Sequence, residues 1–260
     1  MEEILGFIAA FIIGIVLGLT GGGGSIITVP VLVYLLQFNP MIATAYSLFI
    51  VGITSVFGTF VNKLLGNVDF KIGIKFAIPS IIAVYGTRKF IVPNIPDIIF
   101  TIHNFSLSKG TLIMVIFAIV MILAAISMIR GFQPRKTEPS AIVMFIKIFF
   151  VGIVIGFVGA GGGFLIIPAL IYLAHLPMKK AIGTSIFIIS INSLIGFTGD
   201  LGNISPDWAF LLYFSFLSIL GIFAGTYLQR FVNEKNLKRG FGWFVLCIAI
   251  AILTQEFLWK

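Results

Sequence analysis

Two runs of small residues are the parts of this sequence best suited to chemistry. They are Gly21-Gly22-Gly23-Gly24-Ser25 and Gly159-Ala160-Gly161-Gly162-Gly163. A glycine run admits tight, left-handed backbone and leaves amide N–H groups uncovered. Each run is followed at once by an apolar segment, so a helix start falls on the run. A helix N-terminus carries unpaired N–H groups and about half a positive charge. Buried in a medium of low dielectric, such an end is a seat for an anion. The same glycines have a second use, which is to let helices cross closely. Gly14 and Gly18, with Gly152 and Gly156, have the spacing for packing alone.

The polar residues within the apolar stretches are mostly hydroxyls and amides. One stretch holds Thr44, Ser47, Thr54, Ser55, Thr59 and Asn62, and another holds Thr184, Ser185, Ser190, Asn192, Ser193 and Thr198. Such donors suit oxyanion oxygens, although many hydroxyls in helices only bond their own backbone. Ser47, Thr184, Ser185 and Asn192 join the two glycine runs as candidate substrate-binding residues. Fixed charge is scarce at depth. Lys75, Lys147, Asp200 and Asp207 stand near segment ends, and His175 ends a segment where a cap competes with a proton-coupling role. No proton relay of the kind that intramembrane acids mark is visible.

Other chemistries find no support. The single cysteine, Cys247, makes no intrachain disulfide and no cysteine metal cluster. His103 and His175 lie far apart, and no paired carboxylates or nucleophile motif occur, so neither an enzyme, a metal site nor a cofactor is expected. Gly18 to Ser25 looks like a phosphate loop but lacks the lysine, since position 24 is glycine.

The elements that must hold these residues are membrane helices. Hydrophobic residues make up 59% of the 260 residues and charged ones only 10%, against about 25% in a soluble domain. Mean hydropathy is +1.16. Ten apolar segments fall into two sets of five: 4–20, 25–38, 42–62, 72–93 and 111–129, then 142–159, 164–175, 180–199, 207–229 and 240–258. Most have the roughly 20 residues a spanning helix needs. The segments after the glycine runs are shorter, as half-helices or re-entrant segments would be. The run at residue 4 follows Glu2 and Glu3, without the positive start and cleavage site of a signal peptide.

The two sets are copies. Offset by 138 positions, residues 14–36 and 152–174 share 11 of 23 identities, with Pro30 on Pro168 and Tyr34 on Tyr172. In the same frame Ser47 meets Ser185 and Gly58 meets Gly196. The expected organisation is a first membrane repeat over 1–129, a linker over 130–140 and a second repeat over 141–260.

Charge decides the orientation. If the first two segments of each set return the chain to the side it came from, 13 of the 17 basic residues collect on one side: Lys63, Lys71, Lys75, Arg130, Arg135, Lys136, Lys147, Lys179, Lys180, Arg230, Lys235, Lys238 and Arg239. Arg88, Lys89, Lys109 and Lys260 take the other. If those two segments form one broken crossing, the split is 8 against 9 and carries no signal. The positive-inside rule therefore puts the linker in the cytoplasm and both termini outside, in a multi-pass protein of the cell membrane. It also accounts for the net charge of +8 without nucleic acid as a partner. Each unit then has an odd number of effective crossings, so the second is upside down. The expected fold is all-α, two inverted repeats with a solute site near the midplane. The expected partners are a small anion and lipid, and a homodimer is left open.

The pattern G-x-x-G-x-G-G followed by proline, once per half, resembles the sulfite exporter TauE/SafE family. Its carriers are Gly18, Gly21, Gly23, Gly24 and Pro30, matched by Gly156, Gly159, Gly161, Gly162 and Pro168. Ala181-Ile182-Gly183-Thr184-Ser185 is similar to the family's third-segment start, whereas Ala43-Thr44-Ala45-Tyr46-Ser47 lacks the glycine-threonine pair. The resemblance implies a permease for sulfur-containing anions such as sulfite, sulfoacetate or other organosulfonates. An inside-negative potential expels anions without coupling, at about 2.3 kcal/mol per charge per 100 mV, which favours export. The competing readings are an anion channel, a carrier of a non-sulfur anion, and a scaffold that uses its glycine faces only for packing.

Overall fold

The computed structural model describes residues 2–102, 105–130, 140–159 and 161–258. The expected linker residues 131–139, together with His103 and Ala160, lie outside them. Ten α-helices account for nearly all of the described chain: α1 (Glu2–Thr20), α2 (Gly23–Pro30), α3 (Pro40–Leu64), α4 (Phe70–Gly86), α5 (Lys109–Arg130), α6 (Ala141–Val158), α7 (Gly163–Leu173), α8 (Met178–Asp200), α9 (Trp208–Leu228) and α10 (Glu234–Leu258). Two π-helical turns extend helices, Val31–Leu35 after α2 and Thr87–Ile91 after α4. The bounds follow the apolar segments read from the sequence to within a few residues, α10 apart.

The departure from an all-α chain is small. Ile98–Ile102 (β1) and Phe105–Ser108 (β2) pair as an antiparallel hairpin between α4 and α5. Too few residues stand between Pro93 and Lys109 for another crossing, and the β-branched run Ile98-Ile99 favours extended backbone.

Among the described residues six helices are long and apolar enough to cross a membrane, namely α3, α4 with its π turn, α5, α8, α9 and the 239–257 part of α10. The chain is a multi-pass membrane protein. Its outer faces carry large apolar side chains at helical spacing, such as Ile74, Ile78 and Ile82 on α4 and Leu212, Phe216 and Leu220 on α9. In water these stripes would be a liability, and in lipid they are the wetted surface. Cys247 belongs to this exposed surface of α10.

Starts and stops follow local chemistry. Asn39 accepts the Met41 N–H ahead of Pro40, Asp69 accepts that of Ile72 and Asp207 that of Phe210. The short helices end in left-handed backbone at Gln37 (φ 56°) and His175 (φ 53°). His175 is exposed there, so its place is that of a helix terminator. We expect Asp69→Ala and Asp207→Ala each to cost about 1 kcal/mol, the usual worth of an N-cap, read as a lower unfolding temperature in detergent.

The packing is built on glycine. α1 lies along α9 in the same direction, with Gly14 against Ser218 and Gly221, and Gly18 against Ile222 and Gly225. α6 lies along α4 likewise, with Gly152 against Ser80 and Ala83, and Gly156 against Val84 and Thr87. α3 and α8 cross the centre antiparallel, Gly52 meeting Leu194 and Gly58 meeting Ile186. α5 packs on α10. Thus all four GxxxG-type glycines serve close backbone approach.

Candidate functional site

Each glycine run is a sharp reversal between two helices of unequal length. Gly21 adopts φ +72° and closes α1 by donating its N–H to the Leu17 carbonyl. Gly159 adopts φ +69° and closes α6 through the Ile155 carbonyl. Gly161 and Gly162 are also left-handed, at φ +62° and +72°. Left-handed backbone at three positions of one short turn is where glycine has no rival. The helices that leave the turns are short. α7 has 11 residues, about 17 Å at 1.5 Å per residue, and cannot traverse a hydrocarbon layer about 30 Å thick.

The two turns meet. A Cβ placed on Gly22 would lie 2.7 Å from the Phe164 nitrogen and 2.8 Å from the Gly163 Cα. A Cβ on Gly163 would run into Gly22 and lie 2.9 Å from the Gly21 carbonyl oxygen. The N-termini of α2 and α7, 140 positions apart between Gly23 and Gly163, therefore approach backbone to backbone.

α3 and α8 flank this meeting point. Ile182, Ser185, Ile189 and Ser193 stand at helical spacing on α8. Ile182 and Ser185 touch the first turn, and Ile189 and Ser193 touch the second. Ser185 donates to the Gly21 carbonyl at 2.7 Å and to its own Ile182 carbonyl at 2.8 Å. On α3, Thr44 abuts Gly159 and Val51 abuts Gly161, which places Ser47 between them on the same face. Ser47, Ser55 and Ser193 are buried hydroxyls whose Oγ atoms have no hydrogen-bond partner. A buried polar group without a partner costs about 1–3 kcal/mol. Ser47 and Ser193 stand beside the second turn, where a polar ligand would satisfy them; Ser55 lies a further turn along α3, and α9 carries unpartnered hydroxyls of its own at Ser215, Ser218 and Thr226.

The sequence candidates therefore divide. The structure brings together Gly21, Gly22, Gly161, Gly163, Ser185 and, by its place on α3, Ser47. Gly23, Gly24 and Ser25 begin α2, with the Ser25 hydroxyl donating to the Gly22 carbonyl at 2.8 Å. A Cβ on Gly162 would run first into Ile155 of α6, so Gly162 serves the turn itself. Thr184 and Asn192 face α4 instead. The Thr184 hydroxyl accepts the Asp69 N–H at 2.9 Å, as the Tyr46 hydroxyl accepts the Asp207 N–H at 2.7 Å. The Asn192 amide donates to the Ser80 hydroxyl at 2.9 Å. Both are ties between helices.

Two residues of this region escaped the sequence reading. Arg88, counted there with the outer charges, is fully buried on the π turn of α4, and Asp200, taken as a segment end, is buried at the end of α8. Their Nη1 and Oδ2 atoms stand 3.4 Å apart. The signal was present in the sequence: two opposite charges close the fourth and eighth apolar segments, and chain parity puts both ends on one side of the membrane.

Two apolar cavities lie on either side of the first turn, one between α2 and α10 and one beside the end of α1, and residues 21–25 line neither. One of about 480 Å³ is bounded by Pro30, Tyr34, Ile248 and Ile252, and one of about 290 Å³ by Leu19, Thr20 and Phe241. Walls of this kind offer little to an anion.

Comparison with known proteins agrees with this architecture. The sequence profile described as "Sulfite exporter TauE/SafE" matches residues 6–252. A "Probable membrane transporter protein" of Xylella fastidiosa (strain 9a5c) is 31% identical over 258 residues, covering 94% of this chain and 92% of that one. The "Probable membrane transporter protein YunE" of Bacillus subtilis (strain 168) is 28% identical over 255 residues, covering 89% and 90%. The "Probable membrane transporter protein MJ0441" of Methanocaldococcus jannaschii is 28% identical over 201 residues, covering 73% and 68%. No solved structure matches the chain.

Proposed function

Since this chain belongs to the sulfite exporter TauE/SafE family and is a membrane transporter rather than an enzyme, we propose that its solute is a small sulfur-containing anion, such as sulfite, sulfoacetate or another organosulfonate, held where the two glycine turns meet. The observation that carries the reading is the contact of Gly22 with Gly163. It brings two helix N-termini to one place, each with partial positive charge, and at α2 the Thr20 hydroxyl already takes the Gly23 N–H at 2.9 Å, which leaves the next amides of the first turn to face a ligand. Broken helices that aim their N-termini at an anionic group are a recurring device of transporters. The unpartnered hydroxyls of Ser47 and Ser193 supply further donors on the flanking helices.

The halves act as inverted repeats that rock about the α3–α8 crossing to open the junction to either side in turn. The opposed run of α3 and α8, and the matching pairs α1–α9 and α6–α4, support this. The linker 130–140 is cytoplasmic and both termini are outside, which rests on the distribution of Lys and Arg. The direction is export, because an inside-negative potential drives an anion outward.

The test is sulfite flux in proteoliposomes with and without an imposed potential. We expect saturable, potential-dependent flux. Flux that never saturates would speak for a channel, and movement of carboxylates without sulfite or sulfonates would replace the solute. Flux indifferent to the potential would remove the argument for export.

A further inference from the structure

Arg88 is fully buried, and only one of its three nitrogens has found work. Nη1 donates to the Thr44 hydroxyl at 3.2 Å and faces Asp200 Oδ2 at 3.4 Å. Nε and Nη2, the edge of the guanidinium that grips a carboxylate or oxyanion with two parallel bonds, have no hydrogen-bond partner. A buried charge with an idle fork is costly, and a fold with that burden is one that expects a ligand.

Nη2, one end of this idle edge, lies against the second glycine turn. A Cβ on Gly159 would fall on Nη2 and would also strike Thr44, so only glycine leaves the guanidinium room to lie against the turn. Gly199 gives similar clearance, its own added Cβ lying 3.1 Å from the Arg88 Cβ. The Ser47 hydroxyl, buried and unpartnered, is three residues along α3 from Thr44 on the same face. Arg88 is itself carried by a π-helical turn, Thr87–Ile91, a distortion frequent at functional positions.

We propose that the Nε–Nη2 edge of Arg88 is the charged half of the anion site, binding the oxyanion side-on between the second glycine turn and α3. This rests on, and deepens, the anion-carrier reading. Asp200 is a positioning residue. It holds Nη1, so that the fork faces the turn, and it balances the guanidinium when the site is empty. Its oxygens form no hydrogen bond of their own. Among the described residues no other charged side chain pairs with either member, and the neighbouring Lys89 ammonium is turned to the Tyr85 hydroxyl at 3.0 Å. Arg88 and Asp200 cancel, so the loaded site carries the net charge of the bound anion itself, in keeping with potential-driven flux. The first half has no such fork. The 138-residue offset puts Thr226 opposite Arg88 and Asn62 opposite Asp200, so the charge lies on one side of an otherwise doubled framework.

The experiment compares the parent with Arg88→Gln/Asp200→Asn and with Arg88→Lys, using sulfite and sulfoacetate as probes. Flux into proteoliposomes and stabilisation against heat in detergent are both read. Removing both charges together leaves no uncompensated charge in the interior, so the double variant should fold. We expect its flux and its anion-dependent stabilisation to fall at least about tenfold, the loss that one charge-assisted hydrogen bond entails. Arg88→Lys keeps the charge and loses the fork, and should raise the half-saturating concentration about tenfold if the double variant does not fold. A folded double variant, or Arg88→Lys, that transports as the parent does would overturn the inference and leave the carrier reading standing. A parent that neither moves nor is stabilised by either probe overturns the inference too; flux of other anions then decides the carrier reading separately.

Discussion

Gly163→Val and Gly22→Val are expected to lower anion flux by about two orders of magnitude, the equivalent of roughly 3 kcal/mol, and more severely than any substitution of a flanking serine. The reason is what a Cβ would meet. From Gly22 it lies 2.7 Å from the Phe164 nitrogen and 2.8 Å from the Gly163 Cα, and both are backbone. Overpacking against side chains costs about 1–3 kcal/mol because they can turn aside. Backbone cannot, so the two helix N-termini must part, and with them the donors that would face one anion. Gly86→Ala is the control. It sits in a helix with nothing within 4 Å of an added Cβ, and alanine there is neutral or stabilising by up to about 1 kcal/mol. Flux per folded molecule is the measurement. If Gly163→Val retained parental flux, the turns would be packing elements and the site would have to be sought elsewhere.

Loss of the fold itself is the expected result of Gly221→Leu. α1 and α9 touch through their backbones, so that a Cβ at Gly221 would lie 2.9 Å from both the Gly14 Cα and the Ile15 nitrogen. Between membrane helices there is no hydrophobic force to compensate for a lost fit, since lipid is as apolar as leucine, and association depends on van der Waals contact. We expect a destabilisation of about 4 kcal/mol or more, at the extreme of single substitutions. It would be seen as polydisperse protein on size exclusion and loss of the unfolding transition in detergent. Phe223→Leu, on the lipid-facing side of the same helix at 42% exposure, should leave both unchanged. The two experiments separate the two uses of glycine: at the turns it governs flux in a folded protein, and at the α1–α9 crossing it governs folding.

The sequence by itself determined a great deal, because in a membrane hydropathy and charge are nearly the whole signal. Uninterrupted apolar runs place the helices, since backbone in hydrocarbon must bond within its own segment. The 138-residue offset reveals the duplication, down to such details as the paired terminators Gln37 and His175. The glycine runs, followed by short apolar segments, are legible as reversals because few other residues accept left-handed backbone.

What only the tertiary structure decided is which polar groups are left over. Thr184, Ser185, Asn192 and Ser193 look alike in sequence, all small and polar on one helix. Rotation of α8 against its neighbours gives Thr184 to Asp69 and Asn192 to Ser80, gives Ser185 to the Gly21 carbonyl, and leaves Ser193 without a partner beside Gly161. Arg88 likewise reads as one more basic residue at the end of an apolar run. A π turn, the Thr44 hydroxyl and a missing Cβ at Gly159 carry it inward instead. A residue's type sets what it can bond, but whether that capacity is already spent depends on neighbours more than 40 positions away, and only packing supplies those.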